Sequence, residues 1–363
     1  MKKLRVLVVD DSIIFRMVVR ECFSELPGVE VVAAAKDGID AIEKIKQHKP
    51  DLVTLDVHMP GKDGIEVLQE LQRLKIDTCV IMVSSETSRG AATTTKALQI
   101  GAFDFILKPN KDDRQANKRE LKAQLSRQID QLKRHQSHAP VPAAPTAKRP
   151  ATGVRKSGGE KAASNFRPEA ICIGISTGGP RELSKVIPAL SKNIQVPILI
   201  VQHMPPLFTA TMAQSLDLSA KLTVVEGSDG AALQPGHIYI APGGKQMRLT
   251  GVAGASRIEI TDDPPIRACK PSVDYLFESA ASHFRHRLLA IVMTGMGDDG
   301  TRGCKTVAAK GGQVWAQDRN TSTVYGMPRS VAEAGLADQI LSSQEIIAGI
   351  ERCGSQSLAG CRS

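Results

Sequence analysis

Aromatic residues are scarce in this chain of 363, which holds eight Phe, three Tyr and one Trp. So thin a supply leaves no row of stacking platforms and argues against a single-stranded nucleic-acid groove. No run of about 18 apolar residues occurs, so no membrane-spanning helix and no membrane insertion are expected. The first apolar stretch, VLVV at 6–9, ends at Asp10. That is too short for the hydrophobic part of a secretory leader and reads as a strand. Paired cysteines are missing as well. Seven cysteines, at 22, 79, 172, 269, 304, 353 and 361, show no C-x-x-C spacing. An odd, unpatterned set in a chain with no export signal reads as reduced thiols, and the expected location is cytoplasmic.

What is present is a soluble globular composition, 42% apolar and 23% charged, in a chain long enough for two cores. The net charge of +9 is unevenly placed. Residues 111–170 carry fourteen of the 47 basic and six of the 38 acidic residues, a net of +8, which leaves +1 for all the rest. The basic character therefore belongs to one segment and not to a folded nucleic-acid face, and no nucleic-acid partner is expected.

Short apolar runs at 4–9, 29–34, 51–56, 78–84 and 103–107 alternate with helix-period segments such as 39–47 and 63–74. Alternation of this kind implies right-handed βαβ units and a parallel sheet. Leu121, Leu125, Ile129 and Leu132 mark one apolar stripe of a closing helix over 114–135. From 136 to 167 the pattern stops. This stretch is rich in Ala, Pro and Lys/Arg and has no Leu, Ile, Tyr or Trp, so it reads as a flexible basic linker. A coil of that length spans on the order of 30 Å and keeps two domains at about millimolar effective concentration. A second βα series follows at 170–175, 196–202, 221–225, 288–293 and 312–316, interrupted by an expected hairpin that joins HIYIAPG at 237 to RIEIT at 257. The expected boundaries are 1–135, a linker at 136–167, and a second domain at 168–355.

Functional side chains of open parallel sheets gather at the carboxyl ends of the strands. In the first half those ends carry Asp10 and Asp11, then Asp56, then Ser84, then Lys108. Converging carboxylates repel one another unless a hard divalent cation binds them, and a neighbouring lysine can pair with a phosphoryl oxygen. With VVDDS at 8–12, LDVHMPGKDG at 55–64, MVSS at 82–85 and Lys108-Pro109, the first 125 or so residues resemble the response-regulator receiver domain. The resemblance implies a flavodoxin-like fold in which Asp56 accepts a phosphoryl group from a chemotaxis histidine kinase. It implies Mg²⁺ held by Asp10, Asp11, Asp56 and the backbone carbonyl of His58. Ser84 and Phe105 take the switch positions, and Lys108 pairs with the phosphoryl group. The His58 side chain itself reads as loop surface.

A receiver often drives a DNA-binding helix-turn-helix, but about 190 residues of βα pattern are too large and too rich in strands for one. The stretch CIGISTGGP at 172–180 could be a phosphate cradle or a nucleophile turn. G-x-G-x-x-G would need glycine where Ser176 stands, and no G-x-x-x-x-G-K-[ST] occurs. Residues 174–178 fit G-x-S-x-G instead, a serine on a tight strand-to-helix turn. Such a serine needs a base and an orienting carboxylate. His203 directly follows the strand ILIVQ, and Asp298 and Asp299 follow LLAIVM. The chain order Ser, His, Asp differs from that of the α/β-hydrolases, which places the three on another doubly wound sheet.

GISTGGP at 174–180, VQHMPP at 201–206, IAPGG at 240–244, MTGMGDDG at 293–300 and YGMPR at 325–329 together resemble the catalytic domain of the chemotaxis protein-glutamate methylesterases. The resemblance implies a Rossmann-like methylesterase domain without a cofactor in its site. It makes Ser176 the nucleophile, His203 the general base and Asp299, preferred over Asp298, the orienting acid. Backbone N–H groups near Thr177 and Met296 are candidates for the oxyanion hole. The implied reaction hydrolyses glutamyl methyl esters, and deamidates glutamines, on methyl-accepting chemoreceptors. A receiver–esterase interface inside the chain would regulate it. A receiver joined to a non-catalytic scaffold is the alternative.

Overall fold

The structure is a computed structural model that describes residues 3–85, 87–136, 166–251 and 255–355. The chain divides into two compact units, Met1–Ser137 and His138–Ser363. The linker expected at 136–167 falls outside the described residues, except for Gln136, Phe166 and Arg167.

The first unit alternates strand and helix throughout: β1 (Leu4–Val9), α1 (Ile13–Ser24), β2 (Val29–Ala35), α2 (Gly38–His48), β3 (Leu52–Asp56), α3 (Gly64–Arg73), β4 (Cys79–Ser84), α4 (Ser88–Ile100), β5 (Asp104–Leu107) and α5 (Arg114–Gln136). The strands pair in parallel in the order β2-β1-β3-β4-β5. β3 is buried along its whole length, as a central strand in a sheet covered on both faces requires. The helices start where the sequence supplies caps. Ser12, Asp37, Asp63 and Thr87 each accept a backbone N–H of the first turn, and Asp63 with Glu66 closes a capping box. The expected stripe of α5 is buried at Leu121, Leu125, Ile129 and Leu132.

The second unit runs β6 (Ala170–Ile175), α6 (Gly179–Ala189), β7 (Ile198–Gln202), α7 (Phe208–Asp217), β8 (Thr223–Glu226), β9 (His237–Ile240), β10 (Gln246–Thr250), β11 (Arg257–Thr261), α8 (Val273–Phe284), β12 (Leu288–Val292), α9 (Thr301–Ala309), β13 (Gln313–Gln317), α10 (Met327–Glu333), β14 (Gln339–Leu341) and α11 (Ser343–Gly354). Seven strands form one parallel sheet in the order β14-β13-β12-β6-β7-β9-β8. β6 is central. The chain builds outward from it on one side through β7, then returns to build the other side from β12, so a crevice opens between the two directions at the carboxyl end of β6.

One expectation is corrected. Residues 237–240 do not pair with 257–261. β9 lies inside the main sheet, parallel to β7 and β8, while the antiparallel hairpin joins β10 to β11 through Met247↔Ile260 and Leu249↔Ile258. The reason is burial. Ile238, Tyr239 and Ile240 are all enclosed, as an interior strand demands, whereas β11 has one exposed and three half-buried residues out of five. The Pro-Gly-Gly at 242–244 separates β9 from β10, the strand that pairs with β11 in its place.

Candidate functional site

In the first unit, the order of the sheet puts the ends of β1 and β3 side by side at its own point of reversal. Asp10, Asp11 and Asp56 bring carboxylate oxygens within 4.8 Å of one another. Lys108 Nζ lies 2.7 Å from Asp10 Oδ2 and 2.9 Å from Asp56 Oδ2, and stacks over the Phe15 ring at 4.8 Å. One ammonium does not balance three carboxylates. Burial, and then the charge of Asp10, push the Asp56 carboxyl up to about 6 against the opposing pull of Lys108. Asp10 Oδ2 is buried and has only the Lys108 ammonium, which it shares with Asp56, against it. An all-oxygen, over-negative donor set with such an atom fits a hard cation such as Mg²⁺.

Ser84 is buried at the end of β4, where its hydroxyl donates to Ser85 O at 3.2 Å. Phe105 is half-buried on β5, and Gln128 Nε2 donates to its carbonyl at 3.4 Å. His58 departs from the loop-surface expectation. Its ring is half-buried and Nε2 is enclosed without a hydrogen-bond partner.

In the second unit, β6 and β7 pair with Ile175 opposite Gln202, so the next residues, Ser176 and His203, leave the sheet together. The backbone ties them. His203 N–H donates to Ile175 O at 3.2 Å, and Ser176 N–H donates to Thr294 O at 2.9 Å. The turn after Ser176 is made by Gly178 at φ +80°. A Cβ on Gly295 would approach Ser176 Cβ to 2.7 Å, so the absence of a side chain there lets the two turns meet.

His203 Nε2 and Asp299 Oδ2 are 2.8 Å apart, with side-chain exposures of 16% and 3%. Asp298 faces outward instead, paired with Arg267. Asp299 is held by the amino end of α8. Val273 N–H donates to Oδ2 at 2.8 Å, while Ser272 Oγ, Asp274 N and Gly300 N donate to Oδ1 at 2.9–3.0 Å. Burial alone would raise its pKa, but the His203 hydrogen bond and these N–H groups overcome burial and hold the carboxyl below its ordinary range. For His203, burial works to lower the pKa, and its hydrogen bonds with the Asp299 carboxylate and with Cys269 outweigh burial and raise it to about 9. With Nε2–H given to Asp299, the free lone pair of the neutral ring is on Nδ1.

Thr177 is buried and its carbonyl accepts from Thr294 Oγ1 at 2.9 Å, while Met296 is half-buried in the turn after β12. Several positioning groups escape the sequence reading. Gln202 Nε2 donates to both Ser176 O, at 3.0 Å, and His203 O, at 3.3 Å. Gln317 Oε1 accepts from Thr294 N–H at 2.7 Å. The available signal was a polar residue closing a buried apolar run, as Gln202 does after 198–201 and Gln317 after 314–316.

Residues 171–350 match the CheB methylesterase family, and residues 6–119 match the response regulator receiver domain. A Desulfotalea psychrophila protein-glutamate methylesterase/protein-glutamine glutaminase is 45% identical over 95% of this chain and 97% of its own. The Thermotoga maritima protein of that name is 40% identical over 94% and 96%. The crystal structure of the Thermotoga maritima CheB methylesterase catalytic domain, 41% identical, superposes with a TM-score of 0.50 over 51% of this chain and 97% of that domain.

Proposed function

The chain belongs to the CheB methylesterase family, with a response regulator receiver domain ahead of the catalytic one, and on that premise we propose how its residues do the work. It is a hydrolase that cleaves glutamyl γ-methyl esters on chemoreceptors and deamidates receptor glutamines. Ser176 is the nucleophile. Its proton passes to Nδ1 of His203, the hydroxyl oxygen attacks the ester carbonyl, and backbone N–H groups at Thr177 and Met296 receive the developing oxyanion. Asp299 keeps the Nε2–H tautomer in place and stabilises the imidazolium. The imidazolium proton then leaves with methanol, or with ammonia from glutamine. Water attacks the acyl-enzyme with His203 again as base, which returns a free carboxylate and Ser176.

The observation that carries this reading is the 2.8 Å His203–Asp299 pair beside Ser176 at the central strand's end. Methanol release from methylated receptor membranes tests it. Ser176→Ala should lower turnover by about 10⁴-fold or more, and a near-normal rate would sink the assignment.

In the receiver, Asp56 is the phosphoryl acceptor and Asp10, Asp11 and the His58 carbonyl are the companion ligands. Mg²⁺ bound there would neutralise the carboxylates and screen the incoming phosphoryl oxygens. Lys108 pairs with the phosphoryl group, and Ser84 and Phe105 respond to it. The phosphodonor is a chemotaxis histidine kinase, and phosphorylation releases an inhibitory contact of the receiver with the esterase domain. The proposed location is the cytoplasm, a reading supported by seven cysteines without paired spacing. Among the described residues no helix is long and apolar enough to cross a membrane.

A further inference from the structure

A thiol stands beside the proposed catalytic pair, raises the His203 pKa together with Asp299, and forms no bond in the proposed reaction. A ring nitrogen of His203, the Sγ of Cys269 and a carboxylate oxygen of Asp299 all lie within 4.8 Å of one another. The nitrogen facing Asp299 is Nε2. Cys269 is half-buried and held by a four-residue turn in which Ile266 and Cys269 exchange backbone hydrogen bonds of 3.1 and 2.8 Å. The two central residues, Arg267 and Ala268, have φ of +49° and +64°, a left-handed conformation that non-glycine residues seldom adopt. Gln246 Nε2 braces the turn by donating to Cys269 O at 3.3 Å.

Imidazole nitrogen, thiolate and carboxylate are the ligand types that together select zinc over magnesium or calcium. On a tetrahedral zinc such atoms sit about 3.3–3.6 Å apart, within reach of side-chain rotation from the observed spacing. Asp299 is suited to the part. Its Oδ1 is saturated by Ser272, Asp274 and Gly300, which fixes the carboxylate and directs Oδ2 to the ring.

We propose that His203, Cys269 and Asp299 form an inhibitory site for a thiophilic divalent cation, Zn²⁺, with water as the fourth ligand. The ion takes Nε2, so the ring proton moves through solvent to Nδ1, and the Cys269 thiol gives its proton to water. Nδ1 then carries a proton and cannot accept the one from Ser176, so the reaction stops although the ion never touches the nucleophile. The inhibition rests on the triad reading above, whereas the binding does not.

The test uses the full chain, with Zn²⁺ for inhibition and Co²⁺ for spectroscopy. Zinc should lower methanol release roughly tenfold or more, reversibly on chelation. Cys269→Ser should need at least about tenfold more zinc than the wild type to reach the same fractional inhibition of its own zinc-free rate. Cobalt should give a thiolate-to-metal charge-transfer band in the wild type and in Ser176→Ala, and none from this site in Cys269→Ser. Equal zinc sensitivity of the Cys269→Ser protein, or a cobalt band unchanged by that substitution, overturns the site. If the band depends on Cys269 but zinc leaves turnover untouched, the ion binds and His203 is not the base, so the catalytic reading fails instead.

Discussion

Gln202 touches no substrate in the proposed reaction, yet its single amide nitrogen spans the backbone of nucleophile and base. Replacing it with Met keeps the bulk and removes both hydrogen bonds, each worth about 1 kcal/mol. The expected result is a fall in kcat of roughly tenfold with KM nearly unchanged, since the lost bonds align the reacting groups and do not bind substrate. Asp299→Asn tests the neighbouring pair through pH. With the carboxylate present, the imidazolium persists to about pH 9, so the rate should climb as pH rises toward that value and the base is freed. In the Asn protein, burial lowers the His203 pKa unopposed by that charge. The rate limb should move to lower pH while the plateau drops by about 10²–10⁴-fold. The sign for stability follows from the same pair. A histidine whose pKa rises on folding stabilises the fold below its ordinary value of about 6.5, and that contribution is lost as pH rises through about 9.

Strands, helices and turns account for what the sequence made legible. Both parallel sheets could be read because their strands are continuous apolar runs ending in Asp10, Asp56, Gln202 or the turn after Val292, and such runs have few competing interpretations. The edge strand β14 has only three residues, none fully buried, and escaped for want of any pattern. The expected hairpin joined the wrong strands because β10, the partner of β11, is a short run with polar Gln246, Arg248 and Thr250 that carried no strong strand signal. Ser176, His203 and the Asp298-Asp299 pair were legible as strand-end candidates, and the preference for Asp299 came from the family motif. The amino end of α8 that holds its carboxylate arrives from a segment 25 residues upstream. That contact also constrains Gly174. A Cβ there would collide with the side chain of Val273, the first residue of α8. Gly174→Ala should therefore lower Tm, by about 1–3 kcal/mol of stability. It should also weaken catalysis, since the helix carrying Asp299's donors must shift. Circular dichroism melting and turnover measured on one preparation check both.

The whole molecule joins two units of one architecture with different chemistries at the same kind of place. In each, the proposed reactive residue lies where the strand order reverses, Asp56 beside β1 and Ser176 at β6. A small-molecule phosphodonor with Mg²⁺ should raise the esterase activity of the full chain. Asp56→Asn, or removal of Mg²⁺, should abolish that rise and leave the basal rate in place. Residues 168–363 alone should run at or above the stimulated rate. If they match the unstimulated full chain, inhibition by the receiver is ruled out.

The sheet of the second unit also begins in its middle. β6 emerges first from the ribosome, but one of its two partners, β12, starts only at Leu288. Until then that edge of β6, apolar throughout, offers an open row of hydrogen-bonding groups to any chain nearby. The nascent protein therefore passes through a long interval of vulnerability to misassembly. Ribosome-stalled chains ending before residue 288 should be degraded readily by added protease, and chains extended past Gln317 should resist it.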